Sequence, residues 1–143
     1  MNESDLEGLA MAWFEKLGYQ TAYGPEIEED GPKSERTKTD VILWGRFESA
    51  MERLNPDAPS SVLRDAKRLF RRRLGEDPNL VRTNRIFQEM LTEGIRIEHR
   101  EGGESRTIAI RLMARDDLEL NDWFAVNQVT VYHGRNHRVP DIV

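Results

Sequence analysis

The spacing of apolar residues divides the chain into a helical N-terminal portion and a β-rich remainder. From Ser4 to Leu17, the residues Leu6, Leu9, Ala10, Trp13, Phe14 and Leu17 recur at i, i+3, i+4 and i+7, which predicts a helix with one buried face. Ser4 is its expected N-cap. Asp5 and Glu7 fall in the first turn, where the helix dipole favours negative charge, and Gly18 follows at the C-cap position. Tyr19 to Tyr23 reads as a short strand. Residues 24–39 are polar, carry two Gly-Pro pairs and have no period, which predicts a mobile loop.

Three further helices follow. Val41 to Leu54 places Leu43, Phe47, Ala50, Met51 and Leu54 on one side and stops at Asn55-Pro56. Ser60 or Ser61 caps the next, which runs to Leu74 with Val62, Leu63, Ala66, Leu69 and Phe70 apolar and Gly75 closing it. The last runs from about Pro78 to Thr92, with Leu80, Val81, Ile86, Phe87, Met90 and Leu91 inward and Gly94 beyond. The period then changes to two. Ile95–His99 and Thr107–Leu112 alternate around a turn at Glu101-Gly102-Gly103-Glu104. An acidic loop over 114–122 leads to a β-rich run, Trp123 to Tyr132. A turn at His133–His137 precedes a last strand beginning at Val139. Helices first and strands after predict an α+β fold with a largely antiparallel sheet.

Composition narrows this picture modestly. The chain has 143 residues, the size of a single domain, with 38% apolar and 33% charged residues. No apolar run is long enough for a membrane span, and the acidic N-terminus does not resemble a signal peptide. The absence of cysteine excludes disulfides and thiolate metal sites and fits a cytoplasmic location. The formal charge of −5 is unevenly spread: residues 1–35 carry nine acids and two bases, whereas residues 36–100 carry fourteen bases and ten acids. Only the middle of the chain is therefore suited to a polyanion.

Three groups of residues could carry chemistry. Pro140-Asp141 opens the final apolar strand, and its carboxylate reads either as a turn aspartate or as a ligand for Mg²⁺. Glu7 is either an ordinary first-turn glutamate or a second carboxylate directed at the same metal, with Glu3 and Asp5 as competitors. Arg64, Lys67, Arg68, Arg71 and Arg72 share one helix face. That face reads as a phosphate-binding stripe, a solvated surface or a docking surface. His133, His137 and His99 have no metal-ligand geometry to exploit, and Walker, Gly-x-Ser-x-Gly and cysteine-nucleophile motifs are absent. Trp123, Asn127 and Gln128 read as core and sheet contacts.

Several segments together resemble the N-terminal region of the R (restriction, or motor) subunit of type I restriction enzymes. They are Glu3-Ser4-Asp5-Leu6-Glu7 leading to Leu17-Gly18-Tyr19, then Leu54-Asn55-Pro56, and Asn84 with Phe87 before Leu91-Thr92-Glu93-Gly94. The most specific is Asn121-Asp122-Trp123-Phe124-Ala125-Val126-Asn127-Gln128-Val129-Thr130-Val131 ahead of Arg138-Val139-Pro140-Asp141-Ile142-Val143. The resemblance implies an α/β restriction-endonuclease-like PD-(D/E)xK core. Asp141 would be its metal-binding aspartate and Glu7 its helix glutamate, with Mg²⁺ as cofactor and double-stranded DNA as substrate. It also implies that the full subunit continues into ATP-dependent helicase domains and works with methylation and specificity subunits.

The glutamate and lysine that the family carries on the next strand do not follow Asp141. The nearest upstream match, Glu35-Arg36-Thr37-Lys38, is one residue too long and falls in the predicted loop. The expectation is thus an incomplete core: residues 1–143 as the first part of a nuclease domain, inactive alone, with an unpaired C-terminal edge that frays or pairs with a second copy. The alternative is a non-catalytic module that binds DNA or another subunit through the basic helix at 60–74.

Overall fold

Asn2, not Ser4, starts the first helix. The computed structural model describes residues 2–143, and helix α1 spans Glu3–Lys16. The Asn2 side chain accepts from the Asp5 N–H at 2.9 Å, and the Asp5 carboxylate accepts from the Asn2 N–H at 2.9 Å. This reciprocal capping box satisfies two end groups at once and leaves Ser4 inside the first turn. The elements that follow are β1 (Gln20–Tyr23), α2 (Gly24–Ile27), α3 (Trp44–Leu54), α4 (Ser60–Gly75), α5 (Leu80–Glu93), β2 (Ile95–Glu101) and β3 (Glu104–Ile110). A 3-10 turn at Leu118–Leu120 precedes β4 (Phe124–Asn127), β5 (Val131–His133) and β6 (Asn136–Arg138). Contacts gather these into two units, one formed by residues up to Phe47 together with Asp122–Val143, the other by Glu48–Asn121.

In the first unit β4 is the central strand. β1 lies parallel to it, with Gln20 opposite Phe124 and Tyr23 opposite Asn127. On its other side residues 141–143 run antiparallel: Val126 and Val143 exchange N–H···O bonds of 2.9 and 2.8 Å, and Ile142 bridges Asn127. The C-terminal segment is therefore paired within the chain and not frayed. Its cover is incomplete, because Val139 and Val143 are 44% and 65% exposed and no other strand pairs with residues 139–143 among the described residues. The expected antiparallel pairing holds for the two hairpins, β2–β3 and β5–β6, and fails for β1–β4. Those two strands are joined by the whole stretch between residues 24 and 123, and only a long crossover can bring strands together in parallel. The predicted run from Trp123 to Tyr132 is broken in two at Gln128, whose φ is +55°.

The segment predicted as a mobile loop is instead an anchor. Ile27, on α2, is 2% exposed and joins Val126 and Val129 in the core of this unit. Gly24 is required by proximity: a Cβ there would lie 2.3 Å from the Gln128 carbonyl oxygen. Arg36 and Glu28 are each only 6% exposed. The Arg36 guanidinium donates to the carbonyls of Asp40 (2.9 and 2.7 Å), Lys38 (3.2 Å) and Thr130 (2.9 Å). It stands 3.7 Å from Glu28, whose carboxylate accepts from the Thr130 N–H at 2.9 Å. A charged group so deeply placed must be met by polar partners, and here one side chain meets the carbonyls of a segment that forms no regular structure.

The amphipathic reading of α1 overestimates its burial. Leu6, Leu9, Trp13 and Leu17 are 46–74% exposed. Ala10, Met11, Ala12 and Phe14 are the half-buried apolar residues, and Phe14 meets Tyr19 with ring centroids 5.0 Å apart. The apolar stripe is wider than the partners this unit offers it.

The second unit packs α4 on the β2–β3 hairpin and α5 against α4. Val62, Ala66 and Phe70 form the buried side of α4, and Phe70 meets Phe87 of α5 edge to face at 6.1 Å. Pro59, without a side-chain cap bond, precedes α4 in place of the expected serine cap. Asn79 caps α5 by accepting from the N–H groups of Val81 and Arg82, which starts the helix two residues later than predicted. Leu80 and Val81 are consequently 80% and 75% exposed instead of inward. Asn55 exchanges two bonds of 2.8 Å with the Arg111 backbone and so ties the end of α3 to the chain beyond β3.

All three tryptophans, Trp13, Trp44 and Trp123, belong to the first unit, so tryptophan fluorescence reports on its unfolding alone. Replacing Arg36→Met leaves Glu28 buried and removes the guanidinium donor from the Asp40 and Thr130 carbonyls, which should cost roughly 3–5 kcal/mol in urea unfolding followed by that signal. A loss below about 1 kcal/mol, the range of an ordinary surface change, would contradict the anchoring role.

Candidate functional site

Two residues singled out in the sequence, Glu7 and Asp141, both meet Gln128 at one end of β4. Glu7 lies on the half-buried side of α1, the side that packs on β1 and β4. Its Oε1 accepts from Asn127 Nδ2 at 2.6 Å and its Oε2 from Gln128 Nε2 at 2.8 Å. Each oxygen thus has its own amide donor. Asp141 arrives from the opposite edge: its carbonyl accepts from the Gln128 N–H at 3.0 Å, and the residue itself is exposed. Gln128 therefore contacts both.

The competitors fall away on geometry. The Asp5 carboxylate is engaged by the capping box, and Glu3 is exposed on the helix end. Among the described residues no group of three or more His, Cys, Asp or Glu side chains could enclose a metal. Two carboxylates remain, one of them open to solvent. That donor set is poor for zinc and suited to Mg²⁺, which takes one or two carboxylates and completes its shell with water and substrate phosphate.

Asn127 and Gln128 were read in the sequence as sheet contacts, and their part in the site was missed. A detectable signal existed: two adjacent amides interrupt the apolar run Ala125-Val126…Val129, and half-buried amides need partners. Strand alternation would send them to opposite faces. The left-handed backbone at Gln128 is what lets both reach Glu7, and no residue pattern announces it.

A family model described as the type I restriction enzyme R protein N terminus matches residues 1–143. The chain belongs to that family. It is 27% identical over 146 aligned residues to the type I restriction enzyme HindI endonuclease subunit of Haemophilus influenzae, covering 100% of this chain and 14% of that protein. A putative type I restriction enzyme MjaIXP endonuclease subunit of Methanocaldococcus jannaschii is 28% identical over 142 residues, covering 96% of this chain and 13% of its own length. The chain thus spans about one seventh of these R-protein relatives. No solved structure matches it. No helix is long and apolar enough to cross a membrane among the described residues.

In this family member the basic stripe lies on α4 as expected, but acids meet much of it. Lys67 pairs with Glu48, Arg68 faces Asp65 at 3.8 Å and Arg72 faces Glu76 at 3.2 Å. Arg64 and Lys67 line a cleft of about 220 Å³ together with Glu48 and Glu52, so its charge is mixed. A face so balanced carries less positive potential than the sequence count suggests.

A second charged cluster steadies β4. Arg46 grips Glu35 through two bonds of 2.6 and 2.8 Å, donates to Gln20 at 3.1 Å and lies 3.8 Å over the Phe124 ring. The hydrogen bond from Arg46 holds the Glu35 carboxyl below its ordinary value, and Glu35 in turn raises Arg46. Asp40 is also held low, first by the Thr37 hydroxyl and then by the Thr37 N–H. Both carboxyls are lowered on folding, so the stability they supply is complete above the ordinary carboxylate range and is lost as pH falls through their folded values. Urea unfolding of the tryptophan-bearing unit should weaken across that acid range. The Glu35→Gln/Asp40→Asn double variant should be less stable at neutral pH and show a flatter decline. An unchanged slope would contradict the assignment.

Proposed function

We propose that this chain is part of the DNA-cleaving (restriction) subunit of a type I restriction-modification system and contributes Asp141 and Glu7 to a Mg²⁺-dependent site for phosphodiester hydrolysis. The observation that supports this reading is that Glu7, by its carboxylate from a helix on one side, and Asp141, by its main-chain carbonyl from a strand edge on the other, both meet Gln128. Family membership supplies the chemical context, and the names of both relatives describe endonuclease subunits.

In this reading Asp141, exposed and unburdened by the sheet, holds the metal directly. Glu7, fixed by two amides, supplies a second negative oxygen set that orients water at the metal's edge. A bound Mg²⁺ would polarise the scissile phosphodiester and lower the pKa of a coordinated water. On this proposal Asp141 and Glu7 are the first half of a PD-(D/E)xK centre. A further glutamate and a lysine are needed to complete it, and no Glu-x-Lys follows Asp141 in these 143 residues. ATP-driven translocation on DNA and assembly with methylation and specificity subunits belong, in the same proposal, to the full-length subunit. DNA or subunit docking through Arg64, Lys67, Arg68, Arg71 and Arg72 has weaker support, given the acids that already face three of them.

Calorimetric titration of the 143-residue chain with Mn²⁺ or Mg²⁺ should show one weak site, abolished in Asp141→Asn and weakened in Glu7→Gln. The same chain with Mg²⁺ should leave supercoiled plasmid uncut. Metal binding indifferent to Asp141→Asn would overturn the site, and plasmid cleavage lost on Asp141→Ala would overturn its incompleteness.

A further inference from the structure

Gln128 is the one non-glycine residue with positive φ among the described residues, at +55°. A left-handed conformation costs an L-residue about 1–2 kcal/mol, and glycine or asparagine usually occupies such a position. The chain keeps glutamine here. Strain retained at one residue is a reason to ask what that residue holds.

It holds three things. Its N–H binds the Asp141 carbonyl at 3.0 Å, which sets where the C-terminal segment joins β4. Its carbonyl lies against Gly24, where any Cβ would come within 2.3 Å of the oxygen, so the backbone is fixed from that side too. Its side-chain amide donates to Glu7 at 2.8 Å. In an extended strand the side chains of Asn127 and Gln128 would leave on opposite faces, and only one could reach a carboxylate on α1. The left-handed turn brings the second amide to the same carboxylate.

We infer that Gln128 is a positioning residue of the proposed metal site, joining Asp141 through its backbone and Glu7 through its side chain so that the two carboxylates keep a fixed relation. The inference rests on the reading of Asp141 and Glu7 as that site. It assigns Gln128 no contact with metal or DNA. The unusual backbone allows a clean test, because Gln128→Gly relieves the strained φ while deleting only the side-chain arm. Gln128→Asn also tolerates this backbone and draws the amide back by one methylene.

The experiment uses the isotopically labelled chain, with Mn²⁺ as the probe and paramagnetic broadening of backbone amide signals as the readout. In the unmodified chain broadening should fall on residues around both Glu7 and Asp141. In Gln128→Gly the unfolding midpoint should be kept, broadening near Asp141 retained, and broadening near Glu7 reduced several-fold. Gln128→Asn should shift the balance in the same direction. Equal broadening of both regions in the variants would overturn the positioning role while leaving the site standing. Joint loss of stability and of both signals would also overturn it, by showing that Gln128 is merely structural. Broadening of neither region in the unmodified chain would overturn the metal site itself, and the positioning role with it.

Discussion

Strand β4 imposes the constraint on which the rest of its unit depends. It is four residues long, yet β1 pairs along one edge, residues 141–143 along the other, and α1 lies against it. A strand so short has no spare register: a slip by one residue would turn Val126 out of the core and carry Asn127 away from Glu7. What fixes the register is the abrupt end of the strand at Gln128, where the left-handed backbone, the close approach of Gly24 and the Asp141 carbonyl all meet. Structural closure and the proposed chemistry therefore share a residue.

The polar interior supports that end of the strand from below. Arg36 gathers the carbonyls of Lys38, Asp40 and Thr130, and Glu28 accepts the Thr130 N–H, two residues beyond Gln128. A hydrophobic cluster of three buried residues, Ile27, Val126 and Val129, would not by itself order the irregular chain over residues 28–43. The guanidinium does so by giving the segment's carbonyls a buried donor in place of water. Such an arrangement is stable only when complete, which is why the unit is expected to respond to the loss of Arg36.

How much of this was legible in the sequence depended on periodicity. The helices showed through their three-to-four-residue spacing, and the β2–β3 hairpin showed through alternation around Gly102-Gly103. Residues 24–39 were misread because their order comes from one charged side chain reaching carbonyls, a pattern with no period and an apparently solvent-loving composition. Helix α1 was misread in the opposite sense: Leu6, Leu9 and Trp13 have the right spacing for burial, but spacing does not supply a partner. At the candidate site Glu7 and Asp141 were visible as carboxylates and as points of family resemblance. Their junction was not, because it depends on a backbone angle at Gln128. Parallel pairing of β1 with β4 was hidden for a similar reason, since strands so far apart in the chain carry no local mark of their partner.

The central claim is that Glu7 and Asp141 belong to one site at the end of β4. Its most direct test is a crystal structure of the chain grown with Mn²⁺, with the metal located by anomalous scattering. The account predicts a single strong peak bound to the Asp141 carboxylate on the side facing Glu7, with Glu7 still held by Asn127 and Gln128 and no more than one water away from the metal. A metal peak elsewhere, or Glu7 turned away from β4 with Asp141 bare, would contradict it.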